Sequence, residues 1–310
     1  SPRKTVESVE SVILAARAAH PAWGPRKLRA YLLQQGESGL PCTSTIGSIL
    51  KRCGQIDPQE AIKHRAYQSF AMERPNQLWQ MDFKGYFRLE AGGHCHPLSV
   101  LDDHSRFALG LHACANETHR TVQPVITLIF RKYGLPERML MDNGAPWGHN
   151  KLHPYTALTV WLIRLGIQIS HGREYHPETQ GKVERFHRTL KLELLSQRAF
   201  ATLPECQTEF DVWLTMYNQE RPHEALGLQP PISSYEASTR EFPESLPPIV
   251  YATGDQVRKV DVSGRISFGN HVYRVGKAFR HQPVAIRPSG EGTYDVFYCA
   301  QRIGSLDVRH

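Results

Sequence analysis

Three acidic residues far apart in the chain, Asp82, Asp142 and Glu184, sit in settings that suit chemistry on a phosphate. Asp82 interrupts the apolar and aromatic run Leu78-Trp-Gln-Met-Asp-Phe, where an uncompensated charge is costly, so it needs a partner or a metal. Asp142 follows the short run Arg138-Met-Leu-Met and precedes Asn-Gly. That is the carboxyl end of a strand, where ligand sites of open α/β sheets form, although an Asp before Asn-Gly taken singly is more often a turn residue. Glu184 lies on a helix whose buried face is Val183, Phe186, Leu190 and Leu194, and at about 100° per residue it falls beside that face. His187, Arg188 and Lys191 follow at i+3, i+4 and i+7, so one acid heads a cationic stripe. Read alone, Glu184 with Arg188 is an ordinary helix pair worth roughly a few tenths of a kcal/mol.

Phosphodiester transfer faces a repelling anion, a poor leaving group and an unactivated oxygen nucleophile. Two Mg²⁺ ions about 3.5–4 Å apart answer all three, by polarising the phosphate and stabilising both the attacking and the leaving oxygen. Hard cations take carboxylate oxygens, and Mg²⁺ keeps positions for water and phosphate, so three carboxylates converging at a sheet edge suffice. Mg²⁺, as two ions with Mn²⁺ as a substitute, is the cofactor to expect.

The elements that must gather these side chains are legible as pattern. Runs from Leu78, His96 and Arg106, with turns at Gly92-Gly93 and Asp103-His104, predict an antiparallel meander. A helix over 118–133, a strand over 138–141, a helix over 156–165, a strand over 167–170 and helices over 179–196 and 204–220 follow. Strands first, then alternating helix and strand, make a mixed α/β sheet covered by helices. Before this core, Val9, Val12, Ile13 and Ala16 recur at helical spacing, and Pro25 to Leu33 gives a second helix. A third is capped by Thr43 or Ser44 and ends before Gly54. Three short helices with a basic last one resemble a helix-turn-helix, with Ser44, Thr45, Ser48 and Lys51 as candidates for base or phosphate contact. A plain helical bundle is the alternative. After the core, Pro-rich stretches lead to alternating runs from Gln256, Arg265, His271, Val284 and Thr293, which predict a small β-barrel. The resulting division is 1–54, a linker 55–76, a core 77–235, a Pro-rich linker 236–248 and a barrel 249–310.

Charge suits a polyanionic partner at the ends, and taken alone it suits equally a basic protein with a solvated surface. Residues 1–70 hold ten Lys and Arg against five Asp and Glu, residues 249–310 hold nine against five, and the stretch between is close to neutral. No run is apolar enough for a membrane span, so no membrane partner is expected. Six scattered cysteines without a CxxC pair suit free thiols in a reducing cytosol. Nothing at the amino end reads as an export signal, and a start at Ser1 rather than Met is compatible with a processed or truncated beginning.

Taken together, these stretches resemble the DDE transposase and retroviral-type integrase superfamily, most closely the insertion-sequence transposases of the 481 group. The resemblance rests on Leu78-Trp-Gln-Met-Asp-Phe-Lys-Gly, Val100-Leu-Asp-Asp-His-Ser-Arg-Phe, Met141-Asp-Asn-Gly-Ala-Pro-Trp-Gly and Tyr175-His-Pro-Glu-Thr-Gln-Gly-Lys-Val-Glu-Arg-Phe-His-Arg. Tyr217-Asn-Gln-Glu-Arg-Pro-His also fits. It implies a ribonuclease-H-like core, an SH3-like barrel and catalytic, metal-holding roles for Asp82, Asp142 and Glu184. It further suggests DNA contacts at Lys182, Arg185, Arg188 and Lys191, and at the segment capping their helix. Asp102 and Asp103 compete for the first carboxylate, but their setting reads as structural. The 42 positions from Asp142 to Glu184 exceed the integrase spacing, and the added stretch near 148–155 fits the insertion-sequence group. The implied activity is cleavage at transposon ends and transfer of the 3′-hydroxyl into target DNA. The implied partners are double-stranded DNA and further copies of the chain on it, in the cytoplasm with the nucleoid. A ribonuclease-H-like nuclease without joining activity and a catalytically silent DNA-binding protein are the alternatives, and a paired-carboxylate glycosidase fits the cationic arms poorly.

Overall fold

A computed structural model of the chain describes residues 5–56, 71–148, 154–171 and 181–309. Its amino-terminal helices are α1 (Glu7–Ala19), α2 (Pro25–Gln34) and α3 (Thr43–Arg52). The spacing that predicts them also builds their core, in which Ile13, Trp23, Leu28, Ile46, Ile49 and Leu50 are buried together. Thr43 is the first residue of α3, and the cap position belongs to Cys42, whose side chain makes no cap bond, so neither Thr43 nor Ser44 caps as expected. Of the linker expected over 55–76, residues 57–70 lie outside the described residues.

The central sheet begins with β1 (Leu78–Phe83), the two-residue β2 (Phe87–Arg88), β3 (His94–Asp102) and β4 (Ala108–Cys114). β1, β3 and β4 pair antiparallel, as the meander predicts. Helix α4 (His119–Tyr133) crosses to β5 (Arg138–Met141), which lies parallel to β1, and α5 (Ala157–Arg164) crosses to β6 (Gln168–His171), parallel to β5. Parallel neighbours require such crossovers. Period-two alternation sorts the side chains: Trp79, Met81, Leu98, Val100, Met139 and Met141 pack with α4 and α5 on one face. The other face carries Leu101, Ala108 and Leu111 and receives Phe186 and Leu190 of α6 (Gly181–Leu190), with Phe210 and Trp213 of α7 (Leu203–Gln219). This is the mixed sheet with flanking helices expected of a ribonuclease-H-like core. Helix α6 does not run on as α to Ser196; its last turns, Lys191–Leu195, are π-helical.

Beyond the Pro-rich stretch come β7 (Gln256–Lys259), β8 (Arg265–Phe268), β9 (His271–Arg274), β10 (Pro283–Gly290), β11 (Thr293–Tyr298) and β12 (Gln301–Asp307). They form a four-stranded sheet in the order β12-β11-β10-β7 and a β8-β9 hairpin around Ile266, Phe268, Phe279, Val284 and Val296. This unit packs on the sheet, with Tyr155 edge-on to Phe279 at 5.1 Å between centroids and the Ile169 amide donating to Gln301.

A buried node ties the amino-terminal helices to the core. The Glu193 carboxylate accepts from the Trp23 indole (3.1 Å), the Trp213 indole (3.3 Å) and Arg221 Nε (2.9 Å), with both charged side chains under a tenth exposed. Two indoles and a guanidinium satisfy the carboxylate that burial would otherwise penalise.

Candidate active site and nucleic-acid surfaces

Alternation along β1 turns Trp79 and Met81 into the α4/α5 core and leaves Gln80 and Asp82 on the face that α6 covers. The parallel register pairs Gln80 with Leu140. Carried two residues on, it sets Asp142 beside Asp82 across neighbouring strands. Asp82 Oδ2 lies 3.9 Å from His187 Nδ1 of α6, and the His187 Nε2 shares a hydrogen bond of 3.0 Å with Ser99 Oγ, the cross-strand partner of Asp82. Asp142 Oδ1 accepts from the Gly144 amide (3.0 Å), and the Asp142 carbonyl accepts from His171 Nδ1 (2.9 Å), while the buried His171 Nε2 has no hydrogen-bond partner among the described residues.

Burial pushes the Asp82 carboxyl up to about 7, and the negative charges of Asp142, Glu184 and Glu117 add to the shift. Asp142 is raised too, by burial and by Glu117, against the opposing pull of the Gly144 amide and His171. His187 cannot supply the missing positive charge. Burial, with Lys84 nearby, holds it down to about 3, so it is a neutral hydrogen-bonding ring and not a member of an exposed cationic stripe. Glu184 itself is exposed on α6. Among the described residues no three side chains stand close enough to ligate one cation unaided. Asp142 and Glu184 both raise Asp82 through their negative charge and so lie within electrostatic reach of it. Their donor set of oxygen ligands fits a hard divalent cation.

The helix carrying Glu184 is fixed by a second acidic group. Asp103 accepts from the Met72 amide and from Gln80 Nε2 and is ion-paired with Lys182. Gln80 Oε1 in turn accepts from the Val183 amide at the start of α6. Asp102 accepts from the Asn76 amide and from the amide and hydroxyl of Ser105. Both aspartates are therefore built into the frame, as their sequence setting suggests. Lys182, expected to hold DNA, is inside this clamp with 9% of its side chain exposed and does not offer its charge to solvent.

Arg185, Arg188 and Lys191 are exposed. The charge of Arg185 acts on Lys27, Tyr217 and His223, which places it on the α7 side of the helix. On α3, Ser44, Ser48 and Lys51 are exposed at i, i+4 and i+7 and share a face, while Thr45 is half-buried. Sequence reasoning missed Glu117, which hydrogen-bonds His96 at 2.8 Å and acts on both aspartates. It precedes the first residue of a helix by two positions, and only the folded sheet brings it to the site. The charge of the carboxyl-terminal unit is partly spent internally, in the pairs Arg265–Asp261, Arg287–Asp255, Arg302–Asp295 and Arg309–Asp307.

Family models described as Integrase core domain match residues 72–177 and 165–231, and one described as IS481 family transposase, C-terminal domain, matches residues 255–310. The insertion element IS407 uncharacterized 31.7 kDa protein of Burkholderia multivorans is 24% identical over 244 residues, 74% of this chain and 83% of that protein. The Gag-Pro-Pol polyprotein of sheep pulmonary adenomatosis virus is 30% identical over 157 residues, 48% of this chain and 8% of the polyprotein. Among solved structures, the simian T-cell lymphotropic virus intasome in complex with PP2A regulatory subunit B56 gamma gives a TM-score of 0.44 at 16% identity, covering 93% of this chain and 96% of that one. The HTLV-2 integrase catalytic core domain in complex with magnesium gives 0.40 at 17% identity, covering 53% and 99%.

Proposed function

Because this chain belongs to the superfamily of transposases and retroviral-type integrases that share the integrase core, and carries an IS481-family C-terminal domain, we propose that it is the transposase of an insertion element. It cleaves a phosphodiester at each element end and transfers the freed 3′-hydroxyl into target DNA, without a covalent protein–DNA intermediate. Asp82, Asp142 and Glu184 hold the cations. The observation that carries this reading is the charge deficit at the sheet edge, where two aspartates on neighbouring strands are raised by burial and by neighbouring acids. Bound Mg²⁺, as two ions, would polarise the phosphate and lower the pKa of the attacking water.

The chain's own side chains then have defined tasks. Asp82 approaches from the strand and Asp142 from the turn that the Gly144 amide stabilises. Glu184 closes the set from α6, and the bond between Gln80 and the Val183 amide sets how far that helix stands from β1. Arg188 and Lys191 on α6, and Ser44, Ser48 and Lys51 on α3, present donors to phosphate and base edges. The working division remains 1–54, 77–235 and 249–310, joined by linkers. Two element ends must be handled together, so the chain acts as a homo-oligomer on DNA, in the cytoplasm with the nucleoid.

Labelled duplexes carrying candidate element ends, incubated with the protein and Mg²⁺ and scored for nicked and joined products, test the reading. Nicking and joining support it. Nicking without joining identifies a nuclease, and binding with neither identifies a silent DNA-binding protein.

A further inference from the structure

Beside the acidic site runs a groove of about 350 Å³ whose lining includes Lys84, Tyr86, Arg88, Lys191, Arg198 and Phe200. No carboxylate lines it among the described residues. Arg198 is spoken for, bonded to Glu205 and Glu209 and lying over the Phe200 ring. Lys84, Arg88 and Lys191 have no acidic partner among the described residues. Lys84 lies two residues beyond Asp82 on the exit of β1. Lys191 lies seven residues beyond Glu184, about 10 Å along the same side of the helix. The cations thus continue outward from the carboxylates.

Tyr86 stands at this groove with 68% of its surface exposed. His94 meets it edge-on at 5.0 Å, His96 lies tilted to it at 5.4 Å, and His96 is anchored in turn by Glu117. The ring is held from behind and bare in front. Unpartnered cations beside a braced, exposed aromatic are the elements by which proteins hold an unpaired nucleic-acid strand, the cations taking phosphates and the ring stacking on a base.

We propose that this groove binds an unpaired DNA strand adjoining the cleavage site, with Tyr86 as the stacking platform and Lys84, Arg88 and Lys191 as the phosphate contacts. The proposal rests on the transposase reading and extends it from duplex ends to a frayed flank.

The test uses the full chain in EDTA, where no cleavage can occur, and fluorescence anisotropy with two probes: a blunt duplex and the same duplex carrying an unpaired tail of six thymidines. The wild type should bind the tailed probe about tenfold more tightly. Tyr86→Ala should abolish that preference and leave blunt-duplex affinity unchanged, Tyr86→Phe should retain it, and Arg88→Ala should reduce the salt dependence of tailed-probe binding. Equal affinity of the wild type for both probes overturns the proposal. So does a loss in Tyr86→Ala that is the same on both probes, since it marks general attraction to DNA. Because the readout needs no chemistry, absence of joining in the cleavage assay would count against the transposase reading and leave this result standing.

Discussion

Asp103 and Asp82 lie on the same side of one sheet, under the same helix, and are treated in opposite ways. Asp103 receives an ammonium from Lys182, an amide from Gln80 and a main-chain donor from Met72. Asp82 receives the Phe83 amide but no cation: its neighbours are a neutral imidazole 3.9 Å away and the fields of three other carboxylates. A fold that can bring a lysine to one aspartate could bring one to the other. The difference separates a negative charge built into the frame from one that no cationic side chain neutralises, and under the proposed function the second is the charge that would hold Mg²⁺.

The contrast can be broken at either side. The largest effect is expected from Asp82→Asn or Asp142→Asn, which should cut Mg²⁺-dependent strand cleavage by about a thousandfold or more, equivalent to about 4 kcal/mol of barrier. Because each removes a repelling charge, melting of the metal-free protein should not fall. Either variant that cleaves at the wild-type rate removes that residue from the site. Asp103→Asn should do the reverse. It strands a buried ammonium and should cost about 3–5 kcal/mol of stability, read as a lower denaturant midpoint.

Acidity sharpens the comparison further. A carboxyl raised to about 7 in the folded state contributes stability that is complete below its unfolded pKa of about 3.9 and lost as pH rises through 7. Metal-free protein should therefore be less stable at pH 7.5 than at pH 5 by roughly 2–3 kcal/mol more than Asp82→Asn is, and saturating Mg²⁺ should erase the excess. An identical pH dependence in wild type and variant would place Asp82 among the ordinary carboxylates. The smallest effect belongs to Glu117→Gln. Withdrawing one outlying negative charge should weaken Mg²⁺ binding by about two- to fivefold in a calorimetric titration, in line with about 0.5–1 kcal/mol for a screened charge.

Much of this was legible in the sequence because it follows from periodicity. Alternation in Leu78 to Phe83 identifies a strand and puts Asp82 on the opposite face from Trp79 and Met81, and the spacing of Val183, Phe186 and Leu190 identifies the helix bearing Glu184. What escaped depends on tertiary contact. Lys182 reads as one more basic residue in a basic helix until Asp103 is found against it, and His187 reads as part of a cationic stripe until its burial beside Ser99 makes it neutral. Glu117 has no local signature at all. The two strands that pattern did not reveal fail for lack of signal, since β2 has two residues and β12 is interrupted by Gly304.

The carboxylate of Glu193, shared by Trp23 and Trp213, has a consequence for how the molecule comes apart. Three helices spanning some fifty residues make a marginal fold by themselves. Here one of their few large side chains is completed by an acceptor that belongs to the sheet's own helices, and Met216 of α7 packs into their core. Heat should then find no separate tenant to evict first: the amino-terminal helices and the sheet should lose structure in one transition, with Glu193→Ala splitting it in two.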